Sequence, residues 1–205
     1  MSHYFFNGKT YPRVTEILRL VQDEEGLQAW RNKTPKHAEI SKKAMNLGSL
    51  MHWCIANELS PVPIELDKEI PLRDWPEDTP AEISARMMHF RRLRLKIEPN
   101  PTLEHVVHHD VEGEYFAGTL DGRGTVNDYK AIWDYKNSKR IRPEYTLQLG
   151  AYYVGSLREG YKAERGFVIR LQRNEKELLE LDAGQLHEAG EKFLELARKF
   201  HKERI

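Results

Sequence analysis

The sequence predicts an α/β fold, with a central mixed β-sheet flanked by helices. Three observations carry that expectation. Apolar residues recur at helical spacing over residues 37–59 and 185–201. Short apolar or alternating stretches, bounded by turn residues, recur between residues 103 and 181. Their order is helices, three strands, a helix, two strands and a helix. At 205 residues the chain reads as one domain over 1–205, mainly helical over 1–100, with the sheet and closing helix over 101–205. That length is enough to bury a core.

Taken in order, Tyr4-Phe5-Phe6-Asn7-Gly8 reads as a short strand and turn. Thr15 is a candidate N-cap for a helix carrying Ile17, Leu18 and Val21. A second short helix is expected from Leu27 to Asn32, with Trp30 in the core or serving as an aromatic platform. Over 37–59, the stripe is Ile40, Ala44, Leu47, Met51, Ile55 and Leu59. Gly48 inside that helix costs about 1 kcal/mol relative to alanine, which points to a close backbone approach. Residues 60–80, rich in Pro, Asp and Glu, read as a long loop or insertion.

A helix is expected over 81–97, with Ile83, Met87, Phe90, Leu93, Leu95 and Ile97 inward. Its other face carries Arg86, Arg91, Arg92, Arg94 and Lys96, a candidate phosphate-contacting patch if not simply a solvated basic face. Leu103 to His109 reads as a strand, with Glu104, Val106 and His108 on one face. Tyr115 to Val126 is the second strand and its turn, and residues 130–136 are the third. Pro143 opens a helix at a favourable first-turn position. Arg165 to Leu171 and Glu177 to Leu181 pair across Arg173-Asn174-Glu175. The closing helix turns Leu186, Ala189, Phe193, Leu196, Ala197 and Phe200 inward.

Lys plus Arg equals Asp plus Glu at 32 each, so net charge argues neither for nor against a nucleic-acid partner. The single cysteine, Cys54, excludes a disulfide framework and a four-cysteine cluster and suggests a reducing, intracellular compartment. No apolar run is long enough for a membrane span, and no secretory leader is expected at the N-terminus. His105, His108 and His109 lack the partners and spacing of a zinc site. No Walker A motif is present.

The chemistry concentrates between Gly118 and Lys136. On a strand, Asp134 and Lys136 share a face. Asp121 follows another apolar approach, Gly118-Thr119-Leu120. Gly122-Arg123-Gly124 and Asn127-Asp128 read as turn residues, so a hairpin or meander would bring Asp121 and Asp134 together. Converged carboxylates bind a hard divalent cation, and an adjacent lysine can position a water. Lys139, Arg140 and Arg142 follow at once and either attract a phosphodiester backbone or neutralise acids such as Glu144. Gly48 and His52 share one helical face, as do Gln148 and Tyr152 on the helix opened by Pro143.

Together these residues resemble the PD-(D/E)XK nuclease superfamily, and its RecB-type exonuclease branch in particular. The motifs are Gly118-Thr119-Leu120-Asp121, Asp134-Tyr135-Lys136, Gln148-Leu149-Gly150-Ala151-Tyr152 and Gly48-Ser49-Leu50-Met51-His52. The opening Tyr11-Pro12-Arg13-Val14-Thr15-Glu16-Ile17-Leu18 looks like the N-terminal segment of phage and mitochondrial exonucleases of that superfamily. The resemblance covers roughly residues 10–172 and implies a restriction-endonuclease-like core. It implies that Asp121 and Asp134 hold Mg²⁺ or Mn²⁺ with the backbone carbonyl of Tyr135, and that His52 and Glu104 complete the site. It further implies that Lys136 orients the attacking water, that Gln148 lies near it, and that Tyr152 lies near DNA. The activity implied is a metal-dependent DNA exonuclease in repair, recombination or viral replication, preferring single-stranded ends. Trp30, Trp53 and Tyr152 could stack on unpaired bases, and residues 60–80 could border the substrate channel. A helicase or replication partner would supply unwinding. A structure-specific or nicking endonuclease is the alternative within enzymes, and a nucleic-acid-binding module with a vestigial site the alternative outside them. A ribonuclease also stays open, since nothing in the sequence reads a 2′-hydroxyl.

Overall fold

The computed structural model describes residues 4–65 and 76–203. The sequence-expected insertion therefore lies partly, over residues 66–75, outside the described residues. Strands β1 (Tyr4–Phe6) and β2 (Lys9–Tyr11) form a small antiparallel hairpin. Its turn is Asn7-Gly8, both at positive φ, the geometry two-residue hairpins require. Helices α1 (Val14–Ile17), α2 (Glu24–Lys33), α3 (His37–Leu59) and α4 (Thr79–Arg91) follow. Then come β3 (Thr102–His109), β4 (Phe116–Val126), β5 (Tyr129–Lys136), α5 (Pro143–Arg158), β6 (Arg165–Leu171), β7 (Lys176–Asp182) and α6 (Ala183–Lys202).

The five main strands lie in sequence order, β3-β4-β5-β6-β7. Only β5 and β6 are parallel, which makes the sheet mixed, as the sequence predicts. A parallel pair needs a crossover, and α5 is that crossover. One core lies between the sheet and α1, α5 and α6, around Leu120, Ile132, Leu149, Val168 and Phe193. The other lies between the sheet and α3 and α4, around Met51, Ile55, Trp133, Tyr135 and Phe167.

Several expectations change in the folded chain. The turn reading of Gly122-Arg123-Gly124 does not hold: these residues run inside β4, and the turn is Asn127-Asp128 alone, both at positive φ. Gly122 is small for a packing reason, since a Cβ there would lie 2.3 Å from the Trp133 indole. The α4 helix ends at Arg91, short of Ile97. Arg94 takes a left-handed φ of 57°, and Ile97 bridges to Val126 of β4. Leu93, Leu95 and Ile97 recur every second residue, an extended period that packs against the second core. The expected cap at Thr15 is absent, because α1 starts at Val14 and the chain before it is held by Ala117 N donating to Pro12 O at 3.0 Å. The closing helix starts earlier than read, at Ala183, because Asp182 and Gln185 form a reciprocal capping box.

Gly48 packs more loosely than its helical position suggests. A Cβ there would meet Asn137 at only ordinary contact distance, 3.7 Å, so no backbone among the described residues requires the glycine. Glycine is required elsewhere: a Cβ on Gly150 would fall 2.3 Å from the backbone of Ala189, where α5 and α6 cross.

Candidate active site

Alternation of faces fails at the same level in two neighbouring strands. In β3, Leu103 packs with the α3–α4 core but Val107 with the opposite one. Glu104, between them, has a φ of 48°, a left-handed conformation that is costly for a side chain of its size. In β4, Leu120 belongs to the α5 side, whereas Gly122 lies against Trp133 on the other. The register on either side of Glu104, Leu103 with Gly122 and His105 with Leu120, places Glu104 opposite Asp121. Strict alternation in β3 is thus overturned, and the irregularity gathers two carboxylates. Like charges directly opposite each other destabilise a sheet.

His52 comes from α3 and sets Nδ1 3.1 Å from Asp121 Oδ1. One ligand atom each from His52, Glu104 and Asp121 lies within 4.8 Å of the others. The second oxygen of Asp121 accepts the Tyr135 N–H at 2.5 Å, across the end of the β4–β5 pairing. Asp134 and Lys136 stand on the α5 side, with Asp134 Oδ2 2.5 Å from Lys136 Nζ. That oxygen is buried, and the Lys136 ammonium is its partner. Lys136 Nζ donates to Gln148 Oε1 at 2.8 Å, and Gln148 Nε2 donates to the Tyr152 hydroxyl at 2.7 Å. The structure therefore joins Asp134, Lys136, Gln148 and Tyr152 in one chain of contacts, beside the His52, Glu104 and Asp121 cluster.

The electrostatics follow from burial and crowding. Burial opposes the charge on His52, but Asp121, with Asp134 and Glu104, raises it to about 9. Glu104 remains exposed as a residue, but desolvation of its carboxyl against the cluster, reinforced by Asp121, pushes it up to about 7. Burial likewise lifts Asp134 to about 6, against the pull of Lys136 and with the charge of Asp121 adding. Burial works against the Asp121 carboxylate too, yet His52, Lys136 and the Tyr135 N–H hold it below the usual range. Lys136 is raised in spite of burial, by Asp134 and Asp121, and so keeps its ammonium form. Three acids and a histidine crowded in this way suit a divalent cation. Ligand atoms about 2.1 Å from one Mg²⁺ lie roughly 3–4 Å from each other, compatible with the spacing found here. The Asp134 carboxylate, paired with Lys136, supplies one more acceptor at the edge of the cluster.

Other candidates settle differently. Tyr152 is 3% exposed and bonded to Gln148, so it holds that side chain rather than offering a face to a strand. Trp53 anchors to the Ile64 carbonyl at 2.8 Å. Trp30 is exposed and meets His37 edge-on. The basic face read on α4 is largely neutralised: Arg86 is buried against Glu82, Arg91 pairs with Glu58, and Lys96 pairs with Asp128. Arg142 pairs with Glu144 at 3.5 Å. The strand histidines disperse: His105 contacts Glu159, His108 stacks on Phe6, and His109 stacks on Phe116. Sequence reasoning missed Tyr145 as a site residue, although its ring lies 4.9 Å from Lys136 Nζ. Its place one turn before Gln148 and Leu149 on α5 was the available signal.

No helix among the described residues is long and apolar enough to cross a membrane. No family model matches the sequence. No curated protein matches it. Among solved structures, the chain is similar to a candidate exonuclease from Eubacterium rectale, with 12% identity, a TM-score of 0.44, and 78% of this chain and 68% of that one covered. It is also similar to the protein SSO0001, with 18% identity and a TM-score of 0.32 over 56% of this chain. This chain spans 59% of the length of SSO0001, less than two thirds of it. The chemistry of the site thus rests on its own residues: an acidic, histidine-bearing cluster beside a half-buried, oriented lysine.

Proposed function

We propose that the protein is a divalent-metal-dependent nuclease that hydrolyses phosphodiester bonds in DNA, acting as an exonuclease on single-stranded ends. One observation carries the reading. The distorted β3–β4 pair sets Glu104 opposite Asp121 under His52, beside Asp134, Lys136 and Gln148. This combination of carboxylates, imidazole and lysine has a clear use in cleaving an anionic ester.

His52, Glu104, Asp121 and Asp134 would hold Mg²⁺ or Mn²⁺, which supplies Lewis acidity toward the phosphate and acidifies the attacking water. The recorded bond of Tyr135 to the cluster is from its N–H, which orients Asp121; its carbonyl is the fifth candidate ligand. Lys136, aimed by Asp134 and Gln148, places a fixed positive charge where charge develops in the transition state. Tyr152 positions Gln148 from behind. The water oxygen bonds to phosphorus, the ester P–O bond breaks, and the leaving oxygen takes up a proton.

We place this activity inside the cell, in repair, recombination or viral replication, with unwinding supplied by a partner. The test is digestion of end-labelled linear and covalently closed single-stranded DNA with Mg²⁺ or Mn²⁺. Loss of linear DNA only, abolished in Lys136→Ala, is the expected result. Cutting of closed circles would replace the exonuclease by an endonuclease. No cleavage of either substrate would sink the enzyme reading, and DNA binding without metal binding would favour a vestigial site.

A further inference from the structure

We propose that the cavity of about 350 Å³ between α3, α4 and the end of β5 binds one unpaired nucleobase of a single-stranded DNA substrate. This deepens the nuclease reading and rests on it. Pockets that enclose small ligands start near 300 Å³. A base needs less room than that, and the adjoining sugar fills the rest.

The lining has the composition a base requires. Ile40, Ala44 and Leu47 of α3 give an apolar wall, and Ile40 leaves 48% of its surface open. Asn137 and Gln172 set amides against that wall. Gln172 Nε2 and Arg86 both donate to Asn137 Oδ1, at 3.0 and 3.3 Å, so the amides are held in fixed positions. Arg86 is 3% exposed, and its Nε has no hydrogen-bond acceptor among the described residues. A bound phosphate alone would leave the apolar wall uncovered.

The charges around the cavity suit a strand rather than a free apolar ligand. Lys43 and Lys139 line it, are exposed, and pair with no carboxylate among the described residues. The acids of the lining, Asp78 and Glu82, are already engaged: Arg173 lies 4.0 Å from Asp78, and Arg86 and Arg173 both bond Glu82. Position links the cavity to the reaction. Asn137 follows Lys136 directly and lies beside Gly48, which is one helical turn before His52 on the same face of α3. The occupant is therefore the base of a nucleotide close to the scissile phosphate. A base stacked in a duplex cannot reach such a pocket without unpairing, so the cavity selects single strands.

The test uses anisotropy of two labelled octamers with the full-length protein in EDTA. One octamer is abasic throughout, and the other carries a single central thymine. The thymine should tighten binding to wild type roughly tenfold, the scale of one base contact. In Ala44→Glu the thymine should confer nothing, so that the two octamers bind with equal affinity. Ile40→Asp, also at an exposed position, is the second variant should the first fail to fold. Equal affinity of wild type for the two octamers, no measurable binding of either, or a thymine effect unchanged in both variants would overturn the pocket. A thymine effect that needs the pocket, in a protein that cleaves no DNA with Mg²⁺ or Mn²⁺, would keep the pocket and overturn the nuclease.

Discussion

The two sides of the sheet treat their polar residues differently. On the α5 side, Asp134, Gln148 and Tyr152 are each buried and locked to a neighbour. On the α3–α4 side Arg86 is likewise buried and bonded, but His52, the side chain that reaches the cluster, keeps 27% of its side-chain surface exposed. A buried polar chain is held in one geometry because any displacement strands an unsatisfied group. An open wall has no such constraint. The comparison teaches that the sheet and α5 fix the proposed reacting groups, whereas α3 closes the cluster from its more open side.

Substitutions can break or sharpen this division. The largest effect belongs to a carboxylate that the sheet itself holds, Asp121, fixed by the Tyr135 N–H. Asp121→Asn should lower the turnover rate by roughly 10³-fold, the upper range for losing one oriented charged group. It should also erase the rise in Tm that Mn²⁺ produces in wild type. Full activity in that variant would place the chemistry elsewhere. His52→Ala, on the open side, should be milder: metal affinity falls about 10–100-fold, as for groups that orient a ligand. Titration calorimetry with Mn²⁺ measures it, and a loss as great as that in Asp121→Asn would erase the distinction.

Acidity gives a further contrast. Glu104 at about 7 and Asp134 at about 6 lose protons as pH rises from 6 to 8, and His52 at about 9 begins to. Every proton bound to the cluster competes with the cation. Metal binding should therefore strengthen with pH across this interval and release protons, which titrations in buffers of different ionisation enthalpy would count. Affinity that is flat from pH 6 to 8 would remove these groups from the ligand set.

Two glycines give the smallest effects, in opposite directions. Gly122→Ala forces a Cβ into the Trp133 ring, and overpacking of this kind costs roughly 1–3 kcal/mol. Gly48→Ala meets only ordinary contacts and should raise stability by up to about 1 kcal/mol through helix propensity. Thermal denaturation of the pair checks both signs. A Gly48→Ala variant that is stable yet weaker in DNA binding would show that the glycine leaves room for substrate rather than for the fold.

Much of this architecture was legible in the chain. Strong periodicity at Met51 and Ile55 marked α3, and apolar runs around Ile132 and Val168 marked buried strands. The juxtaposition of Asp134 with Lys136 needed only the two-residue repeat of a strand. The extent of α4 differs from the helical expectation over 81–97, because Leu93, Leu95 and Ile97 alternate as an extended chain does. The Asp182–Gln185 capping box, a local signal, moves the start of α6 ahead of the expected Gln185.

What the sequence determined alone was local: element type, order, and the residues sharing a face, because backbone geometry repeats every few positions. What only the tertiary structure decided was where those faces switch and which distant groups meet. The left-handed Glu104 turns a carboxylate toward Asp121, Arg86 disappears beneath Glu82, and Tyr152 turns inward to hold Gln148. None of these follows from spacing. Each is set by packing between segments far apart in the chain, where burial makes every charge and polar atom find a partner.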